Sequence, residues 1–444
     1  MRGKSSYVRI ETVYKDRENL TLEYLSGQYN EQILENKVHI LFENCLDASI
    51  VNGKRILIKP NWVRHCISVN DKWCLCTNES LILTALAILL EMNPASIIIA
   101  DAPIQGCNWD KLLSGYFFDK CKYYSGIYHV PIVIKDFRKV VYNSVTNEII
   151  KDDRSNTNYI IFDMGKRSFL EPITEDRNKF RVTCYNPDEM SKTHRKGVHK
   201  YCIAKEVFES DIILTMPKMK THQKAGVTNA MKILVGVNGD KAFLPHHRMG
   251  AYAYGGDCYP GKSILRSMSE FVLDEANRHI GESIHKPLNY LSAALWKLSW
   301  PSKEQNLGAA WYGNDTVWRM VMDINHIVRY GKLDGSISTV PQRTVYSLCD
   351  GIIGGQGNGP LSPEPLPLGV LAFSNNSYWM DIVMGYLYSL DIDKIPNLRA
   401  AKELINLQDC ALVINQKESS VMDLKKFAVE VEMAPGWMNY KNVN

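Results

Sequence analysis

The residues with most chemical potential lie in one stretch, Met216-Pro-Lys-Met-Lys-Thr-His-Gln-Lys-Ala-Gly-Val-Thr-Asn-Ala-Met-Lys232. Lys218, Lys220, His222 and Lys224 are spaced by two, so an extended backbone puts all four on one face. Ammonium groups attract phosphate or carboxylate, and an imidazole among them can move a proton. The stretch reads as feeding a helix near Ala225 to Thr228, whose free N–H groups favour an anion. On that helix Thr228 and Lys232, four apart, share a face. The alternative is a solvated lysine loop ending in a helix cap.

A second segment, Gly239-Asp-Lys-Ala-Phe-Leu-Pro-His-His-Arg248, leads to Gly255-Gly-Asp-Cys-Tyr-Pro260. Neighbours on a strand point to opposite sides, so His246 or His247, rather than both, turns inward. The inward ring is a candidate acid/base, Arg248 a candidate anion clamp, and Asp257 a partner for a histidine or for sugar hydroxyls. Metal ligation by the histidines is a further option. Lys192-Thr-His194, with His199 and Lys200, makes another basic stretch, which reads as a solvated face or a second wall. Asp350-Gly-Ile-Ile-Gly-Gly-Gln-Gly-Asn-Gly-Pro360 reads as a tight loop after a strand. There Asp350, Gly355 and Gly357 would let backbone approach a ligand closely. The run lacks the phosphate-loop pattern, and no dinucleotide fingerprint opens a helix. Asp381 reads as a charge near a helix start, complementing its dipole.

These residues need a scaffold. Residues 7–14 alternate as a strand and a helix follows near Glu31 to Ala48. Arg55 to Ile58 is a buried strand ending at Lys59-Pro-Asn61. Glu79 to Glu91 is an apolar helix, and Ala95 to Ala100 a strand stopping at Asp101. Strand, helix, strand predicts a βαβ unit in a largely parallel sheet, with ligands beyond the strands' carboxyl ends at Lys59, Asn61 and Asp101. Val140 to Val145 and Glu148 to Ile150 flank Thr146-Asn147 as a hairpin, and Tyr159 to Asp163 is another strand. From Tyr201 a helix runs through Glu209, then a strand from Asp211 to Thr215. Ile264 to Ile280 and Met380 to Ser389 are helices; Val345 to Cys349 and Val370 to Phe373 are strands. The fold class is α/β: a largely parallel sheet flanked by helices, with an antiparallel β insertion. The expected divisions are an N-terminal α/β region at 1–136, the insertion at 137–200, and a C-terminal α/β region at 201–444.

Composition limits the partners. Among 444 residues, 52 Lys and Arg oppose 48 Asp and Glu, a net +4 too small for a nucleic-acid coat. Eleven cysteines, an odd and scattered count, predict reduced thiols and a cytoplasmic location. Cys74 and Cys76 read as small buried hydrophobes. Without paired Cys-x-x-Cys knuckles, no iron–sulfur cluster is expected. Residues 1–16 carry charges throughout and suggest no signal peptide, and no run reads as a transmembrane segment. The apolar stretch Leu288 to Trp300, ending at Pro301, reads as a packed helix, with a membrane-surface contact as its alternative.

In order, Lys59-Pro-Asn61, Asp101, Asp211 through Lys220-Thr-His222, Lys232, Gly236, Leu244-Pro-His-His-Arg248, Gly255-Gly-Asp257 and Asp350-Gly-x-x-Gly-x-x-Gly-x-Gly-Pro360 resemble the family called domain of unknown function 362. The resemblance spans roughly 54–400 and is nearest to members without a ferredoxin module, some of which accompany polysaccharide-biosynthesis genes. It departs at Lys232-Ile233, where the family usually reads Lys-Asn. A looser architectural similarity is to nickel-pincer lactate racemases, without a residue-by-residue match.

The expectation is an enzyme acting on an anionic small molecule, a phosphorylated or carboxylated sugar or hydroxy acid. Lys220, His222, His246 and His247 are the candidates for chemistry. Lys59, Asn61, Asp101, Lys218, Lys232, Arg248, Asp257, Asp350, Gly355 and Gly357 are the candidates for binding. The alternatives are a non-catalytic binding or assembly protein, and a metal- or cofactor-dependent racemase or oxidoreductase.

Overall fold

The computed structural model describes residues 5–142, 149–153, 157–176, 178–183, 185–299 and 308–437. Its centre is an 11-stranded sheet. The edge-to-edge order begins Lys417–Ser419, Cys410–Ile414, Ser6–Thr12, Ser362–Ser374 and Thr344–Asn358. It continues through Ile212–Met216, Arg55–Pro60, Ser96–Asp101 and Ile132–Asp136. The five strands from Thr344–Asn358 to Ile132–Asp136 are mutually parallel. Antiparallel pairs join Thr344–Asn358 to Ser362–Ser374, and Ser362–Ser374 to Ser6–Thr12.

Burial on both faces explains why the central strands are short continuous apolar runs. Ile56, Ile58, Ile97, Ile99, Ile212 and Leu214 pack into one core, beneath the helices Glu31–Phe42, Glu79–Glu91 and Gly115–Tyr128. Leu57, Ala100 and Ile213, one residue out of phase, pack into the other, beneath Val317–Tyr330, Ser377–Leu387 and Pro396–Leu404. The expected largely parallel α/β sheet is therefore present. Strands from both ends of the chain share it.

The antiparallel material is also present. Tyr159–Asp163, Val198–Ala204 and His194–Arg195 form a three-stranded sheet, and Val140–Tyr142 pairs with Ile149–Asp152. The expected turn at Thr146-Asn147 lies outside the described residues, as do Trp300 and Pro301. Residues 201–204 belong to this sheet rather than to a helix; the helix is the short Glu206–Glu209. The apolar stretch Asp71–Glu91 has the length and hydropathy of a membrane span, and most of it is buried inside the fold. The helix His285–Leu298 packs on Ile264–Arg278 through Ser269 and Ser292 but leaves Tyr290 and Leu298 exposed.

Candidate functional site

Strand order reverses between Arg55–Pro60 and Ile212–Met216. Later strands add on one side through Ser96–Asp101, and on the other through Ile212–Met216. Such a switch opens a crevice beyond the carboxyl ends. A cavity of about 430 Å3 lies there, lined by Lys59, Asn61, Asp101, Lys220, His222, Thr228, Lys232, Lys241 and His246, among others.

The first strand end contributes a buried ion pair. Lys59 Nζ donates to Asp101 Oδ1 at 2.7 Å and to the Pro60 carbonyl at 2.9 Å. Asp101 also accepts from the Trp62 and Ala102 amides, so its carboxylate is fully engaged. Gly236 makes this geometry possible. A Cβ there would stand 2.0 Å from Asp101 Oδ1 and 2.7 Å from Lys59 Nζ.

The basic stretch is a β-hairpin. Lys218–His222 runs antiparallel to Gly226–Thr228, and a 3-10 turn, Lys232–Val237, follows. The expected helix at Ala225 to Thr228 is absent, because Gly226 at φ +78° reverses the chain into a returning strand. Thr228 and Lys232 do not share a helix face, yet both line the cavity. Thr228 Oγ1 is buried without a hydrogen-bond partner among the described residues.

Lys220 Nζ donates to Asn61 Oδ1 and to the Leu75 carbonyl. Burial lowers its pKa to about 8. Lys232 falls to about 7, because burial is reinforced by Lys220, Lys241, Lys224 and Lys59. Among the described residues the Lys232 ammonium has no hydrogen-bond or ion-pair partner. Lys241, which sequence reasoning passed over although it lies in the quoted second segment, donates to the Ala102 carbonyl and is lowered by burial to about 8. The turn that launches Lys232 is clamped from behind. Asp381 accepts from the Ala230 and Met231 amides at 2.7 and 3.2 Å. It is fully buried, raised by burial to about 8 and outside the first turn of its helix Ser377–Leu387, so it does not complement that helix's dipole as expected.

Two imidazoles complete the wall. His222 Nδ1 accepts from the backbone N–H groups of Lys224 and Ala225, at 3.0 and 3.1 Å. The proton must then sit on Nε2. His246 Nδ1 lies 2.7 Å from the Leu244 carbonyl, which can only accept, so its proton sits on Nδ1. Burial holds both below the usual imidazole range, His246 at about 3.

Several candidates lie elsewhere. Lys218 and Asp350 form a fully buried pair at 2.9 Å, with Tyr29 Oη donating to Asp350 and accepting from Lys218. Neither lines the cavity. The glycine run is strand rather than loop, and Gly355 is where the Lys218–His222 strand presses close. A Cβ there would meet Lys220 Cβ at 2.8 Å. Gly357 accepts from Thr221 Oγ1 through its carbonyl. Of that run, Pro360 reaches the cavity. His247 faces away from it, as alternation with His246 requires. Arg248 pairs with Asp257 and Asp315 at 3.6 and 3.9 Å, and Asp257 also binds Thr316. Both belong to an internal network. His194 and His199 form another with Glu171 and the Phe243 carbonyl. Ile233 adds apolar wall.

An open, mostly parallel α/β sheet with a cationic cavity at its switch point defines the class of protein. Within it, the model of the family "Domain of unknown function (DUF362)" matches residues 155–385, just over half of the chain, and the protein belongs to that family. A solved protein from Thermotoga maritima is similar at 9% identity and a TM-score of 0.32, over 76% of this chain and 53% of that one. The chain thus spans about half that protein's length. No curated protein matches.

Proposed function

We propose that the protein is an enzyme binding an anionic small molecule, a phosphorylated or carboxylated sugar or hydroxy acid, and acting on it by Lys/His acid–base chemistry. One observation carries the reading. Lys59, Lys220, Lys232 and Lys241 surround a cavity whose one carboxylate, among the lining residues described, is the already engaged Asp101. An enclosed excess of ammonium groups is costly unless an anion answers it. Lys232, Lys220, Lys241 and the Thr228 hydroxyl would hold that anion. His246, with Nε2 unprotonated, would take a proton from the ligand, and His222 Nε2–H would donate to a developing negative oxygen.

The complementary tautomers favour catalysis over simple carriage. A substrate from polysaccharide biosynthesis accords with the family resemblance. A cytoplasmic setting accords with ten described cysteines, all free. The test is a thermal-shift and calorimetric series with inorganic phosphate, pyrophosphate and glucuronate, repeated on Lys220→Met and Lys232→Met. Stabilisation of the wild type that vanishes in both folded variants is the expected outcome. If no anion stabilises the wild type, or both variants respond equally, the reading fails.

A further inference from the structure

Behind the cavity wall, His247, Cys258 and Glu270 are all buried, and each offers one donor atom within 4.8 Å of the others. We propose that these three residues bind one divalent cation, with zinc the best match. The inference is independent of the anion reading, since His247 faces away from the cavity that His246 lines.

Three features of the site support it. The donors are one imidazole nitrogen, one sulfur and one carboxylate oxygen. That mixture suits zinc; magnesium and calcium favour oxygen-only sets. A thiolate and a carboxylate balance a dication, and three protein donors leave a fourth position for water. The scaffold also converges without the ion. The Cys258 amide donates to the Gly250 carbonyl, and the Gly250 amide donates to Glu270, binding loop 249–258 onto the helix Ile264–Arg278. His247 enters from the strand pair with Phe180–Arg181.

The second, independent observation is an unmet nitrogen. His247 Nδ1 is buried without a hydrogen-bond partner among the described residues. A neutral imidazole left so in the interior lacks the interaction that buried polar groups normally find. Cys258 and Glu270 hydrogen-bond each other, which brings the sulfur and the carboxylate together. Two cations face the cluster. Arg181 is bound by Asp274 at 2.9 Å, and Lys224 donates to Thr183.

The test uses the full-length protein, stripped with chelator and titrated with cobalt(II) as a spectroscopic substitute. One cobalt per chain is expected, with a thiolate-to-cobalt charge-transfer band and tetrahedral d–d absorption. Zinc should abolish both. Cys258→Ser should lose the charge-transfer band, and His247→Ala should weaken cobalt binding at least tenfold. The proposal is overturned if the wild type binds neither metal, or if folded Cys258→Ser keeps the band. Should Cys258→Ser fail to fold, Glu270→Gln decides: a tenfold loss of cobalt affinity supports the site, and unchanged affinity removes it.

Discussion

His222 and His246 carry their protons on opposite ring nitrogens. The Lys224 and Ala225 amides fix the proton of the first on Nε2, and the Leu244 carbonyl fixes that of the second on Nδ1. Nitrogen-15 NMR of ring-labelled protein should therefore show one Nε2–H and one Nδ1–H tautomer assigned to these residues. The same tautomer at both would remove the acid and base roles proposed for them.

Acid should unfold the protein through its buried histidines. His194 and His246 titrate at about 3 when folded, whereas an unfolded imidazole takes its proton near ~6.5. Between those values the unfolded chain binds more protons. Stability is thus complete above about pH 6.5 and is lost progressively as pH falls toward 3. His246→Gln should flatten the fall in melting temperature between pH 6 and 4. A slope equal to the wild type would contradict this.

Lys232→Met should stabilise the ligand-free protein. Its folded pKa of about 7 lies below the ordinary lysine value near ~10.4, so the charged form disfavours folding. The variant's advantage, on the order of 1 kcal/mol, should be largest below pH 7 and shrink as pH rises toward 10. Anion affinity of the wild type should weaken as pH rises through 7 to 8, where Lys232, Lys220 and Lys241 discharge. Calorimetry with phosphate at pH 6, 7.5 and 9 measures this, and a constant affinity would count against lysine binding.

Gly236→Ala should damage the site from its back wall. The added methyl would overlap Asp101 Oδ1 and Lys59 Nζ, which are held by other bonds and cannot both retreat. A loss of about 1–3 kcal/mol is expected from denaturant melts, together with weaker phosphate binding. Wild-type stability and affinity would show that the turn yields freely.

Lys218 and Asp350 should behave as one structural unit. Removing either leaves a buried unpaired charge, so Lys218→Met should cost about 3–5 kcal/mol. Lys218→Met with Asp350→Leu should recover most of that loss and keep phosphate binding. A double variant that folds well yet binds no anion would return Lys218 to the site.

Much of the scaffold was legible because parallel strands buried on both faces must be short apolar runs. Ile56 to Ile58 and Ile97 to Ala100 met that requirement, and their ends delivered Lys59, Asn61 and Asp101. Alternation also separated His246 from His247, though not which faced in. The partner of Lys218 was invisible, because Asp350 lies 132 residues away and approaches only through strand pairing. The glycines from 351 to 359 suggested a loop, since glycine is depleted in strands. Here close contact of Gly355 with Lys220 outweighs that tendency. Lys241 escaped notice because a single lysine after Asp240 follows no pattern.

The position of the Ser6–Thr12 strand has a kinetic consequence. It is synthesised well before both its neighbours, Ser362–Ser374 and Cys410–Ile414. Its hydrogen-bonding edges therefore stay open until those two distant strands are available, which makes for slow sheet closure. Residues 155–385, cut out alone, would also lose Arg55–Pro60 from the flank of Ile212–Met216. The stretch that defines the family by sequence is not, in this protein, a unit that can close its own sheet.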